Sequence, residues 1–184
     1  MVVAALGYGA FSLGSALRPA PDLSGTVLEN PVNVRGVSLT NAAGEAVTLS
    51  DYEGRNLLVF FGFTRCPDVC PLTLSRLAKI YTDLGEPEDL DIMMITVDPV
   101  NDTPEVTHAY ASAFHPSFTG LSGDEEAIIS ATKTFFVGAR DAGNGQFAHT
   151  DAALLVDPKG FFKAVYTQDT LDGLEGDLRT LLGS

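Results

Sequence analysis

Cys66 and Cys70 are the only cysteines in the chain, and three residues separate them in Gly62-Phe-Thr-Arg-Cys-Pro-Asp-Val-Cys-Pro71. This loop is wider than a redox C-x-x-C pair. It can close a disulfide if the two Cα atoms come within about 7 Å. It can equally splay two thiolates onto one metal ion. Two soft thiolates select Cu(I) or Zn(II) among biological cations. A structural zinc site needs four ligands. The two cysteines and three histidines allow Cys2His2 by count, but their spacing fits no zinc finger. Cu(I) is satisfied by two or three soft ligands, so one imidazole would complete a site.

The three histidines differ in setting. His108 lies in a helix opened by Pro104 and His115 ends it, the ordinary place for a histidine that interacts with a helix dipole. His149 opens a strand beside the glycine-bearing loop 138–146, from which it can swing towards a neighbouring strand end. By composition alone an ordinary surface residue is the stronger reading for it. Met93 and Met94 offer thioethers, but they stand between Ile92 and Ile95, and core packing accounts for them better. Asp98 precedes Pro99 at the end of the same strand. It reads either as a turn residue or as a group supporting the cysteines.

These residues need elements to hold them. Asn56–Phe63 is a near-continuous apolar run, expected of a central strand buried on both faces. A helix follows from Pro71, with Leu74, Leu77, Tyr81 and Leu84 on one face. The residue before a proline disfavours helix, so Cys70 is predicted at the N-cap with Pro71 opening the helix. Its unpaired N–H groups would then favour thiolates at both sulfurs, helped by Arg65. Asp91–Val97 is a second buried strand. Thr103-Pro104 opens a helix that places Val106, Tyr110 and Phe114 on one face. A capping box at Ser122–Glu125 opens another, running to about Phe135.

Further signals frame this centre. A hairpin turns at Asn41–Gly44 between the alternating Val37/Leu39 and Val47/Leu49. Residues 138–146 read as a polar loop. Phe147–Val156 and Phe161–Tyr166 read as strands around the turn Asp157–Gly160, and Leu171, Leu174, Leu178 and Leu181 as a last amphipathic helix. The order hairpin, β, α, β, α, α, β-β, α implies an α/β fold. We expect a thioredoxin-like (peroxiredoxin/glutathione-peroxidase-like) mixed sheet flanked by helices, with an N-terminal hairpin extension. The cysteine loop follows the first central strand, and open α/β sheets bind ligands at that end.

The chain of 184 residues, with 45% hydrophobic and 19% charged residues, is one globular domain by length and composition. A net charge of −13 repels phosphate backbones and argues against nucleic-acid binding. Met1–Leu17 carries no charged residue. As a helix it would cover roughly 25 Å, just short of a hydrocarbon core. We read 1–17 as a membrane anchor truncated at its start, with a signal-peptide remnant as the alternative. Residues 18–33, with three prolines, read as a linker, and 34–184 as the folded domain. Either reading of the N-terminus exports the domain to an oxidising compartment.

At these residues the chain resembles the Sco/SenC family of copper-binding, thioredoxin-fold assembly proteins for cytochrome c oxidase. The resemblance is carried by Phe60–Pro71, by Thr96-Val-Asp-Pro99 with Asp102-Thr103, by Thr119–Gly123, and by His149-Thr150 with Leu155–Gly160. It covers about residues 34–184. It implies that Cys66, Cys70 and His149 ligate copper, as Cu(I) with Cu(II) as a second state, and that Asp98 supports the site. It implies that the cysteines also form a redox-active pair. It implies delivery of copper to the binuclear copper site of cytochrome c oxidase subunit II, or reduction of that site's cysteines. Other copper chaperones or a thioredoxin-like reductant are the further partners expected. The domain would face the periplasm from an anchor in the cytoplasmic membrane, with the mitochondrial inner membrane as second choice.

Two positions depart from the family pattern. Ala148 stands where an acidic residue often precedes the histidine, and Phe135-Phe136 stands where a tyrosine pair often follows the third helix. Neither removes a ligand. The main rival is a thiol–disulfide oxidoreductase that carries no copper and uses the same pair. A peroxiredoxin-like peroxidase would need Thr-x-x-Cys, but Thr64 is two residues before Cys66. A module that only docks a basic partner leaves the cysteine pair without a purpose.

Overall fold

The computed structural model describes residues 22–143 and 146–183, with the backbone alone described over 139–149. The chain runs through β1 (Thr26–Asn33), β2 (Ser38–Thr40), β3 (Ala46–Thr48), β4 (Asn56–Gly62), α1 (Val69–Asp83), β5 (Leu90–Thr96) and α2 (Pro104–Ser112). It continues through β6 (Thr119–Leu121), α3 (Glu125–Thr134), β7 (Ala139–Gly143), β8 (Gln146–His149), β9 (Ala152–Val156), β10 (Phe161–Thr167) and α4 (Leu174–Leu182). The main sheet has the order β1-β10-β9-β4-β5-β6. Strands β4, β5 and β6 are parallel, whereas β9, β10 and β1 join antiparallel. This is the mixed sheet that the element order implies.

Every residue of β4 is buried: the strand lies inside the sheet, Leu57 facing Asp91 on β5 and Val156 on β9, and its side chains are covered on both faces. That position explains an apolar run without alternation. Strands β4 and β5 end in register, Gly62 opposite Thr96. The loops that follow them, carrying Cys66 and Asp98, therefore leave the sheet at the same carboxyl edge. Helix α1 buries Cys70, Thr73, Leu74, Leu77, Ile80 and Tyr81, the spacing of one helical face. Each leucine so buried contributes about 1.5–3 kcal/mol, which fixes the helix that carries Cys70.

The structure departs from the sequence reading at several elements. Residues 26–33, expected within a linker, form edge strand β1 and pair with β10. Strand β6, three residues with no periodic signal of their own, pairs in parallel with β5. The cap of α3 is Asp124, whose side chain accepts the Ala127 N–H at 2.8 Å. Ser122 instead donates from Oγ to the Asp102 carbonyl, so no capping box begins there. The expected loop 138–146 is largely strand β7, and the expected strand 147–156 breaks after His149. Strands β7 and β8 pair with each other, Ala139 opposite His149, as a separate two-stranded sheet. His149 thus closes a hairpin strand and does not open β9. The predicted anchor at 1–17 lies outside the described residues, among which no helix is long and apolar enough to cross a membrane.

Candidate metal centre

Strand β4 gives way to the cysteine loop at a point where only glycine fits. A Cβ on Gly62 would lie 2.7 Å from the Phe60 ring, 3.2 Å from Cys70 Sγ and 3.3 Å from Met94 Cε. Cys70 therefore packs directly over the end of the strand. Helix α1 begins at Val69 with Asp68 as N-cap, two residues earlier than the proline suggests, so Cys70 is not the cap but sits inside the first turn. Pro71 is tolerated because the first turn needs no intrahelical N–H. The extended preference of a pre-proline residue yields to this turn. Within it the Cys70 N–H donates to Cys66 Sγ at 3.4 Å. A helix N-terminal donor does reach a sulfur, and it is that of Cys66.

Both cysteines are thiols, with Cys66 9% exposed and Cys70 fully buried. Burial pushes the Cys70 thiol well up from its ordinary range; a backbone hydrogen bond from Phe63 opposes this, and Cys66 and Asp151 add to it. The expected thiolate preference is overturned at Cys70, because desolvation outweighs the helix N-terminus. Tyr110 on α2 borders the pair. Its phenol is pushed up to about 12 by burial first, then by the charges of Cys70, Cys66 and Asp102.

Two aspartates after β5 hold the loop from the side. Asp98 is 2% exposed and pairs with Arg65 Nη2 at 2.6 Å. Asn101 Nδ2 donates to both of its carboxylate oxygens, and its backbone carbonyl accepts the Asn101 and Asp102 N–H groups. Asp98 is thus a turn former and also the partner of the residue before Cys66. Asp102 is fully buried. Its carboxylate accepts the Thr64 N–H at 2.9 Å, the Thr64 hydroxyl at 2.6 Å and the Thr96 hydroxyl at 2.8 Å. Sequence reasoning missed Asp102 as a site residue; its signal is a second aspartate four residues after Asp98, ahead of a helix cap.

His149 ends β8, two residues before Asp151, and its side chain lies outside the described ones. Among the described residues no group of three or more His, Cys, Asp or Glu could hold a metal; the described donors are the two sulfurs, whose softness fits copper. His108 Nδ1 accepts the Gly120 N–H at 3.3 Å. His115 Nδ1 accepts the Ser117 N–H, and its ring stands edge-on to Tyr81. Both therefore serve the framework. Met93 and Met94 are fully buried core residues.

Comparison with known proteins bears on these features. Residues 31–178 match the family model described as SCO1/SenC. A SCO2-like protein of Rickettsia felis is 36% identical over 167 residues, covering 84% of this chain and 81% of that protein. The solution structure of apo Sco1 from Thermus thermophilus is 40% identical, with a TM-score of 0.76, covering 87% of this chain and 97% of that one. The structure of Bradyrhizobium japonicum ScoI with copper bound is 31% identical, with a TM-score of 0.70, covering 83% and 98% respectively. The thioredoxin-like sheet, the helix-borne thiol pair and the extent of these matches lead to one conclusion: the chain belongs to the SCO1/SenC family.

Proposed function

We propose that this protein is a copper metallochaperone for cytochrome c oxidase assembly, holding copper on Cys66, Cys70 and His149. The observation that carries the reading is the buried thiol pair at the start of α1, with the Cys70 N–H on the Cys66 sulfur. A relative of the same family is solved with copper bound, which supports copper as the cargo. Two soft sulfurs suit Cu(I), and an imidazole adds a third donor that Cu(II) favours more strongly. Asp98 acts through Arg65, holding the cysteine loop to the end of β5. Copper must displace the protons of the thiols, so loading releases protons. The recipient in this reading is the binuclear copper site of oxidase subunit II, and residues 1–17 tether the domain on the periplasmic side of the membrane.

The same pair supports a second role. Cys66 and Cys70 can pass two electrons and two protons to a disulfide of the recipient, leaving a Cys66–Cys70 disulfide and two recipient thiols. Both being thiols only four positions apart favours this reading as a companion step. The deciding experiment titrates Cu(I) into reduced and oxidised protein against a Cu(I) chelator, alongside disulfide reduction of a subunit II fragment. Tight binding to the reduced form alone is the expected result. Equal binding by both forms refutes a thiolate site, and reduction without any copper binding leaves an oxidoreductase.

A further inference from the structure

Among the described residues, the hairpin that ends at His149 belongs to no larger sheet. There strands β7 and β8 pair only with each other, and an isolated two-stranded hairpin is marginal in water. Its junction with the body is where described contacts can set its orientation. That junction is two residues long, Thr150 and Asp151, between the end of β8 and the start of β9. Thr150 closes the mouth of the hairpin: its N–H donates to the Gly138 carbonyl at 3.0 Å, and its Oγ1 accepts the Gly138 N–H at 3.2 Å.

Asp151 faces the helix. The Thr73 hydroxyl donates to Asp151 Oδ1 at 3.0 Å, Gln168 Nε2 donates to Asp151 Oδ2 at 2.8 Å, and the same Nε2 donates to Thr73 Oγ1 at 2.7 Å. The three side chains form a closed triangle. Thr73 is fully buried on α1, one turn beyond Cys70. The Gln168 amide is oriented from behind, because its oxygen accepts Arg76 Nη1 at 2.6 Å while Arg76 Nη2 donates to Asp172. With the oxygen so engaged, the nitrogen must face Thr73 and Asp151. A short path thus runs from Cys70 along one helical turn to Thr73, across the triangle to Asp151, and back along two residues to His149.

We propose that the Thr73–Asp151–Gln168 triangle is a positioning device that registers the His149-bearing hairpin against the helix carrying Cys70. The inference rests on the reading of His149 as the third copper ligand. None of the three residues touches copper in this reading; they set where the imidazole is presented. Groups that orient metal ligands in this way typically change affinity by about 10–100-fold when removed.

The test uses the full chain and the variants Asp151→Ala, Asp151→Asn, Thr73→Val, His149→Ala and Asp151→Ala/His149→Ala. Readouts are Cu(I) affinity by chelator competition, the Cu(II) electron paramagnetic resonance spectrum, and amide exchange at Thr150 in the metal-free protein. Asp151→Ala should weaken Cu(I) by on the order of tenfold, give the Cu(II) spectrum of His149→Ala, and speed exchange at Thr150. The double variant should bind no worse than His149→Ala. Asp151→Asn removes the charge but keeps an acceptor for Gln168 and gains a donor to Thr73 Oγ1, so it should restore most of the affinity. Thr73→Val removes the two sides of the triangle that meet at Thr73 and leaves only the Gln168–Asp151 bond, and it carries the test if Asp151→Ala does not fold. If Asp151→Ala and Thr73→Val match the wild type while His149→Ala does not, the positioning role is wrong and the ligand stands. Additive losses in the double variant also overturn it. A His149→Ala variant identical to wild type removes the ligand itself, and the inference with it.

Discussion

Replacing Asp102 by alanine should unfold the protein more easily and loosen the cysteine loop at the same time. The carboxylate is fully buried and accepts three hydrogen bonds, two from Thr64 and one from Thr96. Two hydroxyls donate into this buried pocket, and the third donor is the Thr64 backbone N–H, which has no side-chain freedom to turn away. Leaving a buried donor without its acceptor costs about 1–3 kcal/mol. The two hydroxyls can rotate towards other acceptors, so full additivity would overstate the loss. We expect about 3–5 kcal/mol in total, between the cost of one stranded donor and that of all three. For a domain of this size each kcal/mol shifts the unfolding midpoint by about 2–4 °C, so the midpoint should fall by roughly 6–20 °C. Urea unfolding followed by circular dichroism measures it, with an unchanged m-value showing that stability alone has moved. Thr64→Val isolates the 2.6 Å hydroxyl bond and should cost about 1.5–3 kcal/mol. In the double variant the two losses should fall well short of their sum. A loss below about 0.5 kcal/mol for Asp102→Ala, or strict additivity with Thr64→Val, would refute the claim that Asp102 ties the base of the cysteine loop.

Three further outcomes follow from the site. Cys66→Ala and Cys70→Ala should abolish tight Cu(I) binding, whereas His149→Ala should weaken Cu(I) partially and alter Cu(II) more sharply, because Cu(I) tolerates the remaining thiolate pair; His108→Ala and His115→Ala should bind copper like the wild type in chelator competition. Gly62→Ala should cost about 1–3 kcal/mol by overpacking and displace Cys70, since its Cβ meets the Phe60 ring at 2.7 Å and the Cys70 sulfur at 3.2 Å, which thiol-alkylation kinetics and thermal unfolding would both register. Because burial raises the Cys70 thiol, its proton is held through neutral pH and copper must displace it; Cu(I) affinity should therefore rise steadily between about pH 6 and 8, and a pH-independent affinity would contradict proton displacement.

Much of this molecule can be read from its sequence, and what can be read is local or strongly periodic. The apolar runs of β4 and β5, the turn between β2 and β3, the Thr103 cap that accepts the Val106 N–H, and the cysteine pair all announce themselves within a few residues. Strand β1 does not, because an edge strand exposed on most positions and carrying Pro31 has neither alternation nor an apolar run to mark it. The cap of α3 falls two residues beyond the sequence signal because Ser122, in the sequence a plausible cap, is taken by the Asp102 carbonyl across the fold. Burial raises the Cys70 thiol against the sequence expectation, because the helix N-terminus is visible in sequence while the depth of burial is not. The cysteines and their loop were thus legible, whereas the groups that hold them were not. Arg65 meets Asp98 across 33 positions, Thr64 meets Asp102 across 38, and Thr73 meets Asp151 across 78. Single polar residues that far apart leave no periodic trace, and only the alignment of β4 with β5 and of α1 with the β8–β9 junction brings them within hydrogen-bond range.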